Sequence, residues 1–145
     1  ARIGFPSSVL MIDLDHFKQV NDKSGHDVGD DLIVQVAQEF RRNLRHTDFV
    51  ARLGGDEFCV LFPYTKLEAA TELVTRLRHK LAKELALIKG VVHSLKWTGG
   101  LSCMDVTDQS PEDVLWRADQ ALLQAKTAGR NRTEVYAAQE KSRTA

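Results

Sequence analysis

Residues 52–62, RLGGDEFCVLF, restrict the folds open to this chain more than any other stretch. Phe49-Val50-Ala51 and residues 58–62 each read as a strand. Gly54-Gly55 between them supplies the positive φ of a tight turn, so the segment reads as a β-hairpin. FCVLF is apolar at every position, which places that strand between two covering layers. Such a hairpin has no need of Asp56 and Glu57 side by side where the turn enters the buried strand.

The remaining elements build around it. Val9-Leu10-Met11-Ile12 is a short apolar run stopped by Asp13, a buried strand ending in a carboxylate. A polar stretch with Asn21-Asp22, Ser24-Gly25 and Gly29 follows. Ile33, Val36, Ala37, Phe40 and Leu44 then repeat at helical spacing. Thr65 and Glu68 form a capping-box pattern, which predicts a helix from near Lys66 with Ala70, Leu73, Val74, Leu77 and Leu81 inside. Residues 91–103 read as one strand, with Gly99-Gly100 marking a bulge or a close approach. Ser110-Pro111 opens a helix with Leu115, Ala118, Leu122 and Ala125 buried, and Gly129 ends it. Residues 133–136 form a last strand, and 137–145 read as a flexible tail. The order is strand, helix, hairpin, helix, strand, helix, strand, an α/β chain of α+β type whose helices cover a sheet.

A length of 145 residues predicts one domain, here residues 1–136. Twenty Lys and Arg balance twenty Asp and Glu, which argues against a duplex-binding surface but allows a small phosphorylated ligand in a cleft. Cys59 and Cys103 lie far apart without metal-ligand spacing and read as core residues of a reduced, cytoplasmic protein. No apolar stretch reaches the ~20 residues of a membrane span and no signal peptide opens the chain. The expectation is a domain making no membrane contact, within a protein that could be membrane-anchored elsewhere.

If the first strand runs antiparallel beside the hairpin, Asp13 faces Asp56 and Glu57. Three converging carboxylates repel one another, and a divalent cation such as Mg²⁺ removes that cost while sharing its remaining positions with substrate phosphates. On spacing alone a second reading stands, in which these are separate solvated turn acids. Asp15-His16-Phe17-Lys18 looks like a helix's first turn, whose free N–H groups and Lys18 suit a phosphate. Lys126 and Arg130, four apart, suit the same phosphates, or an ordinary helix C-terminus. Asn21 and Asp30 match the donor-rich edge of guanine, though both are also good turn and cap formers.

Three segments in order, MIDLDHFKQVNDKSGHDVGDD, RHTDFVARLGGDEF and ADQALLQAKTAGRNR, closely resemble the GGDEF domain of bacterial diguanylate cyclases. The resemblance covers residues 9–136. It implies a fold like nucleotidyl cyclases and polymerase palms, with a central, mostly antiparallel five-stranded sheet surrounded by helices. It implies condensation of two GTP into cyclic di-GMP with release of two pyrophosphates, across a homodimer of facing domains, with Mg²⁺ (or Mn²⁺) as cofactor. Asp13, the Leu14 carbonyl and Asp56 would be metal ligands, and Glu57 would support the second metal or the geometry. Asp56 and Glu57 are then the catalytic pair. Asn21 and Asp30 would read guanine, with His26 near the nucleotide. Phe17, Lys18, Lys126 and Arg130 would hold phosphates, and Gly54 and Gly55 would let the backbone approach the nucleotide.

Arg45-His46-Thr47-Asp48 resembles the family's RxxD inhibitory site, where Arg45 and Asp48 would bind product with Arg76 or Arg78 as a second arginine. A surface ion pair at a helix end is the other reading. The family's DxLTGLxNR-like segment ahead of the first strand is missing, WTGGLS replaces a more regular strand, and Leu123 stands where an aromatic is common. Regulation would come from a domain outside this chain, and no nucleic acid is expected as partner. A catalytically silent cyclic di-GMP receptor acting through Arg45 and Asp48 is the alternative. A cyclase that also takes ATP is disfavoured by Asp30, since adenine's edge lacks the donor pair a carboxylate wants.

Overall fold

A computed structural model describes residues 6–82, 85–88, 91–94 and 96–136, with 85–88 and 91–94 described by their backbone. The elements run β1 (Ser8–Leu14), α1 (Phe17–Ser24), α2 (His26–Asn43), β2 (Phe49–Gly54), β3 (Glu57–Phe62), α3 (Leu67–Leu81), β4 (Leu85–Ile88), β5 (Val91–Ser94), β6 (Trp97–Cys103), α4 (Pro111–Thr127) and β7 (Thr133–Val135). Five strands form the main sheet in the order β2-β3-β1-β6-β7, and β4 pairs with β5 separately. All neighbours in the main sheet are antiparallel except β6 and β7. The mostly antiparallel five-stranded sheet surrounded by helices is therefore the one expected.

β1 sits at the centre and is buried along its whole length. Its side chains alternate between two layers, as a strand's period of two requires. Leu10, Ile12 and Leu14 join Phe58, Val60, Phe62, Trp97 and Leu101 against α2 and α3. Val9 and Met11 face α4 through Val114, Ala118 and Leu122. Phe40 lies 5.6 Å from Trp97 edge-on and 5.7 Å from Phe58, so one ring from α2 locks two strands. Asp13 falls on the α4 side of this alternation, at the end of the strand.

α4 lies unusually close to β6. A Cβ added at Gly100 would stand 2.2 Å from both the Ala118 carbonyl oxygen and the Leu122 nitrogen. Beside it the Ser102 hydroxyl donates to the Val114 carbonyl at 2.7 Å. Of the two expectations for Gly99-Gly100, close approach is the one observed. The register of β6 on β1 is unbroken, and the bulge lies instead in β2, between Arg52 and Gly54.

Arg78 ties α3 to the far side of the sheet. Its guanidinium stacks 3.7 Å from the Trp97 ring centre and donates to the Trp97 carbonyl at 2.7 Å and the Thr133 hydroxyl at 2.8 Å. Burial pulls its pKa down to about 10, with Asp15 opposing the shift.

Several local expectations are corrected. The helix expected to open at residues 15–18 continues through the polar stretch: α1 and α2 flank Gly25, and α1 buries only Phe17, leaving no apolar stripe to read. Residues 91–103 are not one strand, because β5 pairs with β4 and only 97–103 enter the main sheet. Thr65 does not cap α3. Lys66 is the N-cap without a side-chain bond, while the Thr65 hydroxyl donates to the Pro63 carbonyl and accepts from Arg45. At α4 the Asp113 carboxylate accepts from the Gln109 and Ser110 N–H groups, the reciprocal half of a capping box. Cys59 and Cys103 are free but only half-buried, and burial raises the Cys59 thiol to about 11. The tail at 137–145 lies outside the described residues. Among those described, no helix is long and apolar enough to cross a membrane.

Candidate active site

Antiparallel pairing of β1 with β3 makes Glu57 the direct partner of Asp13, and the Leu14 N–H donates to the Asp56 carbonyl at 3.0 Å. The end of one strand thus meets the turn that opens the other. Asp13 is 9% exposed and Asp56 is half-buried. Burial raises the pKa of Asp56 from its ordinary value, and the neighbouring charge of Asp13 pushes it the same way, with a smaller push from Glu57. Two like charges face one another in a partly desolvated corner, which costs energy.

The Lys126 ammonium, from α4, pairs with Asp13 Oδ2. Asp13 Oδ1 is buried without a hydrogen-bond partner. A buried, unsatisfied carboxylate oxygen beside a second carboxylate is a poor resting place for protein alone and a good donor set for a hard cation. Among the described residues no three His, Cys, Asp or Glu side chains converge. The chain offers two carboxylates, which fits Mg²⁺ completed by a backbone carbonyl and substrate phosphates. Glu57 is exposed beside the pair.

α1 begins next to this corner, after His16 in the left-handed conformation at φ 62°. The Gln19 and Val20 N–H groups bond to the His16 carbonyl, so the N–H groups of Phe17 and Lys18 precede the intrahelical ladder. The Phe17 ring is 8% exposed and packed in the core, so only its backbone is available to a ligand. Lys18 is exposed. At the other end of α4, Gly129 and Arg130 form a Schellman turn, with Arg130 N–H to the Ala125 carbonyl at 3.0 Å and Gly129 N–H to the Lys126 carbonyl at 3.3 Å. Lys126 thereby reaches the acid pair, and Arg130 sits exposed on the same turn.

The residues expected to read guanine lie on α1 and α2, which pack on one another. A Cβ on Gly29 would stand 1.8 Å from Asn21 Oδ1, an oxygen that is buried and without a partner. Asp30 follows Gly29 and is exposed; His26, at the start of α2, is exposed too. A Cβ on Gly54 or Gly55 would meet nothing within 4 Å, so no protein neighbour demands these glycines. Gly55 at φ 49° is needed for the turn itself.

Arg45 and Asp48 form a second cluster. Arg45 Nη2 lies 2.7 Å from Asp48 Oδ1, Nε bridges both oxygens at 3.1 Å, and the Arg45 N–H donates to Oδ2 at 2.9 Å. Asp48 is 2% exposed. The pair borders a cleft of about 310 Å³ that Arg42, Arg76 and Lys80 also line. Arg76 is therefore the arginine that faces this cleft, whereas Arg78 is committed to Trp97 and Thr133. The sequence leaves both open because they differ by two positions on one helix. Asp15, Thr98 and Asn131, hydrogen-bonded to one another beside the acid pair, were not singled out by sequence at all. Asp15 stands in plain view in IDLD, but its partners lie 83 and 116 positions away.

Comparison with known proteins identifies the family. A family described as "Diguanylate cyclase, GGDEF domain" matches residues 1–132. The diguanylate cyclase DgcP of Pseudomonas aeruginosa is 45% identical over 127 residues, 88% of this chain and 19% of that protein. The chain spans between 12% and 35% of the length of the curated relatives it matches. Among solved structures, the diguanylate cyclase SiaD in complex with its activator SiaC, from the same organism, superposes with a TM-score of 0.85 at 33% identity, covering 90% of this chain and 50% of that one. The GGDEF domain of DgcB from Caulobacter crescentus, in complex with c-di-GMP, gives a TM-score of 0.82 at 28% identity over 90% of this chain and 78% of that one. This chain belongs to the GGDEF domain family of diguanylate cyclases.

Proposed function

We propose that this domain condenses two molecules of GTP into cyclic di-GMP, releasing two pyrophosphates, and that a second copy of the domain supplies the other GTP. The observation that carries the proposal is the Asp13–Asp56 pair, with one buried oxygen unpartnered and a lysine already drawn onto the other. A bound Mg²⁺ would neutralise charge on the triphosphate and lower the pKa of the attacking 3′-hydroxyl. Asp13 and Asp56 would hold it, with the Leu14 carbonyl as a further ligand. Asp56 is thus chiefly a ligand and not the general base, and exposed Glu57 supports the site from outside the pair.

The other residues bind and orient. Asn21 and Asp30 accept guanine's N1–H and N2–H₂. The α1 N-terminus with Lys18, and Lys126 with Arg130, receive the phosphates; Lys126 moves from Asp13 to phosphate as the substrate arrives. His26 lies at the edge of the nucleotide. Positioning two triphosphates for in-line attack is the main catalytic contribution of such a scaffold.

The buried oxygen of Asn21 occupies the space over Gly29. Gly29→Ala forces that side chain to swing away, which a flexible amide does cheaply. The expected result is a KM for GTP raised about tenfold with little change in thermal stability, measured by initial rates and calorimetric melting. An unchanged KM would remove Asn21 from base recognition.

Product inhibition belongs to Arg45, Asp48 and Arg76, where an arginine takes a guanine edge or phosphate in a forked, bidentate way. Arg76→Ala is expected to weaken cyclic di-GMP binding roughly tenfold without destabilising the domain. Arg78→Ala is expected to do the reverse, lowering the melting temperature with binding unchanged. Isothermal titration and thermal unfolding separate the two. The same preformed cluster and cleft favour the receptor reading. Full-length protein that binds cyclic di-GMP but releases no pyrophosphate from GTP and Mg²⁺ would replace the cyclase reading with it.

A further inference from the structure

The turn after α4 holds three consecutive residues at positive φ: Gly129 at 127°, Arg130 at 65° and Asn131 at 50°. A glycine in that position is what a Schellman turn asks for. Two further residues with side chains in the left-handed region are disfavoured, and they persist only where the surroundings hold them. What holds these is specific. The Asn131 N–H donates to Asp15 Oδ2 at 3.0 Å and to the Thr98 hydroxyl at 2.9 Å, while that hydroxyl donates to Asp15 Oδ1 at 2.6 Å. One N–H, one hydroxyl and one carboxylate close a small ring.

The ring is anchored to the acid pair. Thr98 is fully buried and is the register partner of Asp13 across β1 and β6. Asp15 lies two residues beyond Asp13, its N–H bonded to the Lys96 carbonyl at 3.0 Å. The far side of the turn is fixed as well, because the Gly99 N–H donates to the Arg132 carbonyl at 2.8 Å. The turn carrying Arg130, and the helix end carrying Lys126, are thus referenced directly to the strand that carries Asp13.

We propose that Asp15 and Thr98 are positioning residues for the triphosphate: they clamp the turn at 129–131 so that Lys126 and Arg130 are held toward the Asp13–Asp56 corner. This rests on the reading of that corner as the GTP site. Neither residue touches the phosphates; each acts through the backbone of Asn131. A merely structural network would set melting temperature and leave nucleotide affinity alone.

The test uses Thr98→Val, which removes the hydroxyl and keeps the shape, with Asp15→Asn beside it and Thr98→Ser as the conservative rescue. Two quantities are measured: hydrogen exchange at the Asn131 amide, and the dissociation constant for a GTP analogue carrying a methylene bridge between its α- and β-phosphates, with Mg²⁺ present. The expected result is faster exchange and roughly tenfold weaker analogue binding for Thr98→Val and Asp15→Asn, with Thr98→Ser within about twofold of wild type. Cyclic di-GMP affinity, which depends on Arg45, should not move. Faster exchange with unchanged analogue affinity would overturn the positioning role. Unchanged exchange would overturn the clamp itself. Parallel loss of analogue and cyclic di-GMP binding would show a general weakening of the fold and also overturn it. Wild-type protein that fails to bind the analogue, with exchange still responding to Thr98→Val, would defeat the GTP reading and take the proposal with it. If Asp15→Asn does not fold, Thr98→Val against Thr98→Ser decides alone.

Discussion

Asp56→Asn is expected to lower cyclic di-GMP formation by roughly a thousandfold, the several kcal/mol that a catalytic metal's charge supplies. The fold should survive. Asp56 binds its proton more tightly in the folded chain than in the unfolded one, first because it is partly buried and then because Asp13 faces it. Such a group stabilises the fold at low pH and loses that contribution as the pH rises through its folded value. Above that value the native state carries an unfavourable charge, and asparagine removes it. The variant should melt at or above the wild-type temperature. Mg²⁺ should raise the melting temperature of wild type, because it binds the native acid pair, and should not raise that of Asp56→Asn. Normal activity in the variant, or an equal Mg²⁺ shift in both proteins, would remove Asp56 from the metal site.

Gly100→Ala should be the most damaging glycine-to-alanine change among the described residues. Its Cβ would meet two backbone atoms of α4 at 2.2 Å, and neither can rotate away as a side chain would. Relief requires lifting α4 from β6, which also strains the Ser102–Val114 hydrogen bond and the packing of Val9 and Met11. The expected loss is about 3 kcal/mol, or roughly 10 °C in melting temperature. Gly55→Ala offers the comparison. Nothing lies within 4 Å of its added Cβ, so only the left-handed backbone objects, at about 1 kcal/mol. Urea midpoints at constant m-value measure both. Equal losses would mean that the α4–β6 approach is softer than the geometry indicates.

How much of this was legible in the sequence follows from the range over which each signal acts. β1 is an apolar run ended by an acid and β3 one opened by acids, and their antiparallel pairing is enough to bring Asp13 toward Asp56. The α4 boundaries carry their own chemistry in Ser110, Pro111 and Gly129. The start of α1 is legible at residues 15–18, but its extent is not, because a helix whose only buried residue is Phe17 has no stripe to detect. The β4–β5 pair was hidden because pairing is a long-range choice that residues 91–103 do not themselves encode. In the site, the residue types were visible and their company was not. The sequence does not tell that Lys126 pairs with Asp13 or that the Phe17 side chain lies in the core. Arg76 and Arg78 were separable only once Trp97 and Thr133 were seen to take Arg78. Thr65 had the right spacing for a cap and was diverted by Arg45 from α2's C-terminal side.

The central claim is that the acid pair and its surroundings turn GTP into cyclic di-GMP. The most direct measurement is incubation of this chain, at high concentration so that two copies can meet, with GTP and Mg²⁺, followed by mass spectrometry of the nucleotides. Cyclic di-GMP with two pyrophosphates per product, lost in Asp56→Asn, is the predicted result. Intact GTP from this chain and from the full-length protein alike would contradict it.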